Sequence, residues 1–378
     1  MSKVTSSNQL PLLTALPPDR LAASRSALPV LDTREQRGTT FHEVPVKAIL
    51  NSPATTGMGF WSLNPYVGCE FGCTYCYARE THRWVMEKAA EERKGGRAEG
   101  DFPSEASSDI PPFRPSALPS WLAFEKQILV KTSAAAVLTR TLFPAKLAGA
   151  SLVIGTATDP YQPAERKFRL TRSILEALRS WKGLSLGIIT KSPLILRDAD
   201  LLAELSQRHE LTVNISMSSV DPVALRRLEA RSPAPHARLR ALKGLTDAGI
   251  HAGIMMAPVV PGVTDSREQM AALMAAGKAA GARYVVGAAL RLGPVARARF
   301  LPHLAEEFPE LVDRYANRFG HSETPGPDYV DALTRRIVAL QRQYGFPVNT
   351  GMSGRRKLTG RAPRRGAVVT VEEQKSLW

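Results

Sequence analysis

Cysteine is scarce. The 378-residue chain holds three, and all of them fall within "CEFGCTYC" as Cys69, Cys73 and Cys76. An odd count cannot pair completely within the chain, and one tight loop is a poor place for a staple, so a disulfide framework is excluded. Long apolar runs are also missing. No stretch of roughly eighteen apolar residues occurs, which excludes a spanning helix of ordinary length. The opening "MSKVTSSNQLPLLTALPPDR" carries one Lys and a short apolar patch broken by Pro, a poor signal peptide. A cytoplasmic protein is the expectation, with no membrane partner and with thiols kept reduced for metal. Acidic residues are the third shortage: 35 Asp and Glu against 50 Lys and Arg leave a net charge of +15. That balance favours an anionic partner, nucleic acid first, although Arg-rich compositions also arise without one.

What is present has a rhythm. Residues 1–58 are rich in Pro, Ser and Thr and read as a largely irregular, flexible N-terminal arm, in which "VPVKAIL" could add an edge strand. A flexible insertion is expected at 91–120, where Gly, Pro, Ser and charge cluster. Around it, short apolar runs alternate with helical patterns: "GFWSLN", "SLVIGT", "SLGIIT", "LTVNISM", "HAGIMMA" and "ARYVVGA". In "TRSILEALRSW", Ile174, Leu175, Leu178 and Trp181 share a face behind Thr171 as N-cap. In "TDSREQMAALMAAG", Met270, Leu273, Met274 and Gly277 do the same after Thr264. Strands of near-continuous apolar character separated by single helices imply βα units on a parallel sheet. Six units are too few for a closed eightfold barrel and enough for an open partial one over residues 59–300. A doubly wound sheet is the alternative that periodicity leaves open. A helical extension at 301–350 follows, with Val330, Leu333, Ile337 and Leu340 on one side of its last helix, and then a basic tail at 351–378.

Three thiols at this spacing admit three chemistries. Cys73 and Cys76 form a dithiol pair that leaves Cys69 without a role. A zinc site is complete if His82 supplies the fourth ligand. An iron–sulfur cubane normally takes four cysteines, and one held by three keeps an iron open for a small ligand.

The loop, Cys-x3-Cys-x2-Cys with Tyr75 before the last cysteine, resembles the signature of radical S-adenosylmethionine enzymes. "NPYVGCEFGCTYCYAR", "GTATDPYQPAE", "ITKSPLILRDADLL" and "MMAPVVPGVTD" resemble, in that order, the branch containing spore photoproduct lyases. The resemblance implies a partial (β/α)6 barrel of the TIM type, with Cys69, Cys73 and Cys76 holding a [4Fe-4S] cluster. The open iron would chelate the methionine moiety of S-adenosylmethionine, and one-electron reduction from flavodoxin or ferredoxin would release a radical that takes hydrogen from the substrate.

It also implies site residues at the strand ends, where parallel barrels carry their chemistry. Thr158 and Asp159 would meet the ammonium group, Lys191 the carboxylate, and Ser216 the ribose, with Ser218 on the same strand face. Tyr75 would lie near the adenine, and the turn in "PVVPGVTD" could approach it. Tyr77 and Tyr161 are candidate hydrogen relays or packing aromatics, and Arg291 would face an anionic substrate. One element of the lyase pattern is missing. Those enzymes return hydrogen to the product from a further cysteine near the strand end that here reads "GTATD", where this chain offers Thr156 and Thr158. The expectation is therefore a lyase-like enzyme that is not a thymine-dimer lyase, its substrate unassigned, with nucleic acid, a peptide or a small metabolite in view. A non-catalytic alternative is a zinc-stabilised nucleic-acid-binding protein.

Overall fold

The computed structural model describes residues 38–94, 118–147 and 149–348. Most of the expected arm, most of the insertion and the whole basic tail lie outside the described residues. Among the described residues there are ten strands: β1 (Thr40–Glu43), β2 (Leu50–Asn51), β3 (Trp61–Leu63), β4 (Tyr66–Val67), β5 (Gln127–Val130), β6 (Leu152–Ile154), β7 (Ser185–Thr190), β8 (Glu210–Ser216), β9 (Ala252–Val259) and β10 (Val285–Ala289).

Six of them form one parallel array in the order β3-β6-β7-β8-β9-β10, which is their order along the chain. A doubly wound sheet would reverse direction at a switch point. None occurs among the described residues, so the singly wound partial (β/α)6 barrel stands. Its strands divide their two faces. Leu152, Ile154, Leu186, Ile188, Val213, Ile215, Ile254 and Met256 pack outward with helix residues Ile174, Leu178, Leu202, Leu205, Leu242, Met270 and Leu273. Val153, Gly187, Ile189, Thr212, Asn214 and Met255 line a cavity, so smaller and more polar residues alternate with the apolar ones.

Both sheet edges are covered, as open strand edges must be. β2 pairs antiparallel with β3, so the expected edge strand narrows to Leu50 and Asn51. At the other edge lies the helix Pro327–Gln343, whose Leu333, Ile337 and Leu340 are buried. Its Gln341 side chain donates to the Val285 carbonyl at 2.7 Å. Val330 is 36% exposed and does not join that stripe. Two expected caps also shift. The helix Leu170–Leu178 starts from Arg169 in the left-handed region (φ 53°), which leaves Thr171 inside the first turn. The helix Arg267–Ala279 is capped by Ser266, whose hydroxyl accepts from the Gln269 N–H.

A second, three-stranded sheet of order β1-β5-β4 stands beside the barrel. β1 runs parallel to β5 and β4 antiparallel to it. Tyr66, Ile128 and Val130 form its small core with Phe41, Phe168 and Leu170. Its importance is positional: β4 runs straight into the cysteine loop.

Candidate active site at the strand ends

The loop leaves β4 through Gly68, whose φ of 89° and close neighbours, Phe124 O and Gln127 O, admit no side chain. The Gly68 carbonyl accepts from Thr158 Oγ1 (2.6 Å) and Gln162 Nε2 (3.3 Å), which ties the loop to the C-terminal end of β6. Cys69 N donates to Phe124 O at 2.9 Å. Cys69 and Cys73 are buried and Cys76 is half-buried. Burial raises all three thiol pKa values, Cys73 to about 11. Neighbouring charge acts both ways: Asp159 and the other two thiols add to the rise at Cys69, whereas Lys191 opposes it at Cys73 and Arg79 at Cys76. The three cysteines pack in one cluster with Phe71, Tyr75 and Phe124, which gives the sulfurs a common space. Among the described residues no three His, Cys, Asp or Glu form a compact single-ion site. A cluster edge holds its thiolates farther apart than one ion does.

Behind the loop is a charged brace that no motif in the sequence marks. Arg79, fully buried, donates to the Cys73 carbonyl (2.7 Å), to Glu125 Oε1 (2.7 Å) and to the Trp121 carbonyl. Arg231 donates to the Glu70 carbonyl (2.8 Å) and pairs with the other Glu125 oxygen. These guanidinium groups hold the Glu125 carboxyl below its usual pKa against the opposing effect of burial, the largest influence on it. Glu125 lies 49 residues beyond Cys76 with the insertion between, so no local spacing announces it.

His82 takes no part in the sulfur space. Its Nε2 bonds the Gln127 carbonyl at 3.1 Å, and its ring stands edge-on to Phe124 at 5.9 Å between centroids. Its Nε2 is thereby committed to the scaffold.

Lys191, Ser216 and Tyr75 are brought together. Lys191 Nζ donates to Ser216 Oγ at 3.1 Å and lies 5.9 Å from the centre of the Tyr75 ring. Burial disfavours its charge, but Cys73 and Glu229 outweigh that and the lysine pKa rises. Tyr75 donates to Glu229, which pairs with the buried Arg238, and Arg238 Nη1 donates to the Ser216 carbonyl at 2.9 Å. Glu229 and Arg238 are further residues that local pattern did not reveal. Ser218 is buried, and its hydroxyl has no hydrogen-bond partner among the described residues.

Thr158 and Asp159 sit at the end of β6 as expected and already hold the scaffold. Asp159 accepts from Thr190 Oγ1 (2.6 Å), Tyr161 N (2.9 Å) and Lys191 N (2.7 Å). Burial still raises its pKa. Tyr77 reaches the same strand end: its hydroxyl donates to the Thr156 carbonyl, and the side chain stays 42% exposed. Two further candidates have other partners. Tyr161 is fully buried in the core between strands and helices. Arg291 is 67% exposed and pairs with Glu323 at 3.0 Å, and its charge also acts on Tyr77.

Comparison with known proteins decides the family. Residues 127–274 match the radical SAM superfamily. The chain is 34% identical to an uncharacterized protein of Mycobacterium tuberculosis over 309 residues, 81% of this chain and 82% of that protein. It is 27% identical to an uncharacterized protein of Methanocaldococcus jannaschii over 205 residues, 54% of this chain and 61% of that one. A mutant spore photoproduct lyase with bound AdoMet and dinucleoside spore photoproduct superposes with a TM-score of 0.55, at 14% identity, over 82% of this chain and 80% of that one. A second lyase mutant, with dinucleoside spore photoproduct, gives 0.54 at 15% identity over 91% and 87%.

The chain belongs to the radical SAM superfamily. The matched residues begin after the cysteine loop, so the fit of this radical SAM chain to its cofactors rests on the loop's own chemistry. Three thiols facing one space suit a cluster, a cation and hydroxyls converge on the strand ends, and the Ser218 hydroxyl lacks a partner. The residues fit the group.

Proposed function

We propose that the protein is a radical SAM enzyme in which Cys69, Cys73 and Cys76 hold a [4Fe-4S] cluster with one iron left for S-adenosylmethionine. The observation that carries this reading is the shared sulfur space, braced by Arg79, Arg231 and Glu125 at the C-terminal ends of six parallel strands. When bound, the two cofactors supply one-electron cleavage of a C–S bond and an adenosyl radical for hydrogen abstraction. The chain's own residues bind and orient. Lys191 offers a compact cation to the carboxylate. Asp159 holds three donors and retains acceptor capacity for the ammonium beside Thr158. Ser216, and Ser218 with its free hydroxyl, supply ribose contacts. Tyr75 is fixed by Glu229 and Arg238 as a wall for the adenine. The buried strand ends exclude water from a reactive site.

Near the strand end where the lyases carry a donor cysteine, Thr156 and Thr158 offer hydroxyls whose O–H bonds are too strong to replace a thiol. The reaction we assign is therefore hydrogen abstraction from a substrate other than a thymine dimer, in the cytoplasm, with flavodoxin or ferredoxin as electron source. The charge of +15 makes nucleic acid the favoured substrate class.

Anaerobic reconstitution tests the reading. It predicts a brown protein with about four irons and four sulfides per chain, and a reduced-cluster resonance that changes when S-adenosylmethionine is added. A colourless protein with stoichiometric zinc would overturn it. Clean repair of a dimer-containing oligonucleotide would overturn the exclusion of lyase chemistry alone.

A further inference from the structure

Lys131 is a partly buried cation with no counter-ion among the described residues. It follows β5 and is half-buried. Its Nζ makes one hydrogen bond, 2.9 Å to the Asn64 carbonyl, and no ion pair among the described residues. Desolvation is the one influence on its pKa, which is pushed down to about 8. Other buried cations of this protein are matched: Arg79 by Glu125, Arg238 by Glu229, and Lys191 by Cys73 and Glu229. A carbonyl partner does not require a charge, and a neutral donor would serve it without the cost of desolvating an ammonium.

Position supplies the reason for the charge. Asn64 follows β3 at its C-terminal end. Its Nδ2 donates to Ser62 Oγ (2.9 Å) and Thr156 Oγ1 (3.1 Å), and its Oδ1 accepts from Ala157 N (2.8 Å). The Thr156 carbonyl in turn accepts from Tyr77, the residue after Cys76. One residue thus separates the Lys131 ammonium from the strand end at which the reaction is placed. Tyr77 is 42% exposed, so this strand end is open to an arriving molecule. Lys131 N also bonds the Pro65 carbonyl at 3.2 Å, so the lysine is mounted on two strand ends and held rigidly.

We propose that Lys131 anchors the substrate, binding an oxyanion group, carboxylate or phosphate, of the molecule that enters beside Thr156 and Tyr77. The proposal rests on the reading that reaction takes place at these strand ends, and it names the chemical class of what arrives there. An arriving oxyanion would supply the missing counter-charge and use the two ammonium hydrogens that have no partner among the described residues.

The test uses reconstituted enzyme labelled at lysine Cε with carbon-13, the Lys131 signal being assigned by its loss in Lys131→Arg. Without added anion the signal should titrate near pH 8. Addition of inorganic phosphate or acetate should move the midpoint upward. A response to phosphate alone assigns a phosphate-bearing substrate, and a response to acetate alone assigns a carboxylate. By calorimetry, Lys131→Met should weaken binding of the effective anion at least about tenfold, while Lys131→Arg retains it, since guanidinium stays charged. No movement of the midpoint with either anion overturns the proposal. The change of the reduced-cluster resonance on adding S-adenosylmethionine is measured on the same samples. Loss of that change in the unmodified enzyme overturns the proposed function, whereas a silent Lys131 signal with the change intact overturns the anchor alone.

Discussion

His82 shows how one buried residue can separate two chemistries and also set a pH dependence. Its ring is 1% exposed, and burial lowers its pKa from 6.5 to about 4. The folded protein therefore keeps it neutral where the unfolded chain takes up a proton. Its contribution to stability is fully present above pH 6.5 and is lost as pH falls through about 4, a difference on the order of 3 kcal/mol. His82→Gln keeps a donor for the Gln127 carbonyl and removes the titration. Urea unfolding at pH 7.5 and pH 5 should show a smaller loss of stability in the variant than in the parent chain. An equal loss in both would remove His82 from the account. The same variant should reconstitute with unchanged iron, because the imidazole Nε2 is engaged by the Gln127 carbonyl. Cys69→Ala, Cys73→Ala and Cys76→Ala should each lose the cluster, which separates the two residue types in one assay.

At the scale of elements, what could be read in advance followed from how locally each element is encoded. The six barrel strands are short apolar runs punctuated by helices, and their parallel pairing follows from that alternation. The small sheet is not legible in this way, because β4 is two residues long and finds its partner β5 about sixty residues later. Glu125, Arg231, Glu229 and Arg238 escaped for the same reason: a brace assembled from separate helices and loops leaves no period in the chain. The cysteine loop stood out because all three thiols fall in eight positions, and the meeting of Lys191 with Ser216 could be read because each interrupts or ends an apolar strand. Thr158 and Asp159 were placed correctly at a strand end, but their work in holding the loop and β7 depends on tertiary contacts. Two substitutions test these elements. In Gly72→Ala, an added Cβ at φ 56° would overlap the Arg231 guanidinium. The variant should fold, as judged by its unfolding midpoint, yet reconstitute with substoichiometric iron; full iron content would show that the brace tolerates displacement. In Gln341→Ala, the buried Val285 carbonyl loses its donor, which should cost about 1–3 kcal/mol of stability by urea unfolding. The reduced-cluster resonance and its response to S-adenosylmethionine should remain, since the site lies at the strand ends and away from this edge.

At the scale of the whole molecule, the charge of +15 is unevenly useful. Arg79, Arg197, Arg231 and Arg238 are engaged in ion pairs at low exposure, so they add little to the field that an approaching polyanion meets. Residues 351–378 contribute seven basic residues against two acidic ones, about a third of the net charge in less than a tenth of the chain. If nucleic acid is the substrate, its backbone phosphates should be met in part by this segment. Every phosphate that truncation leaves unneutralised would then lower the slope of log affinity against log salt by about 0.7 for a single strand. Anisotropy with a short labelled single-stranded oligonucleotide, measured across a salt series, gives that slope for the full chain and for a chain ending at residue 350. A smaller number of neutralised phosphates predicts both weaker binding at low salt and a shallower slope. An unchanged slope would exclude the segment and leave the barrel surface as the binding face. Absence of salt-dependent binding by either chain would exclude nucleic acid, and the basic composition would then say nothing about the substrate. The anion response at Lys131 still distinguishes the remaining cases, because it reads one oxyanion at the strand ends rather than a polyanion across the surface. A phosphate response with no oligonucleotide binding would point to a small phosphorylated molecule, and an acetate response to a peptide or metabolite carboxylate.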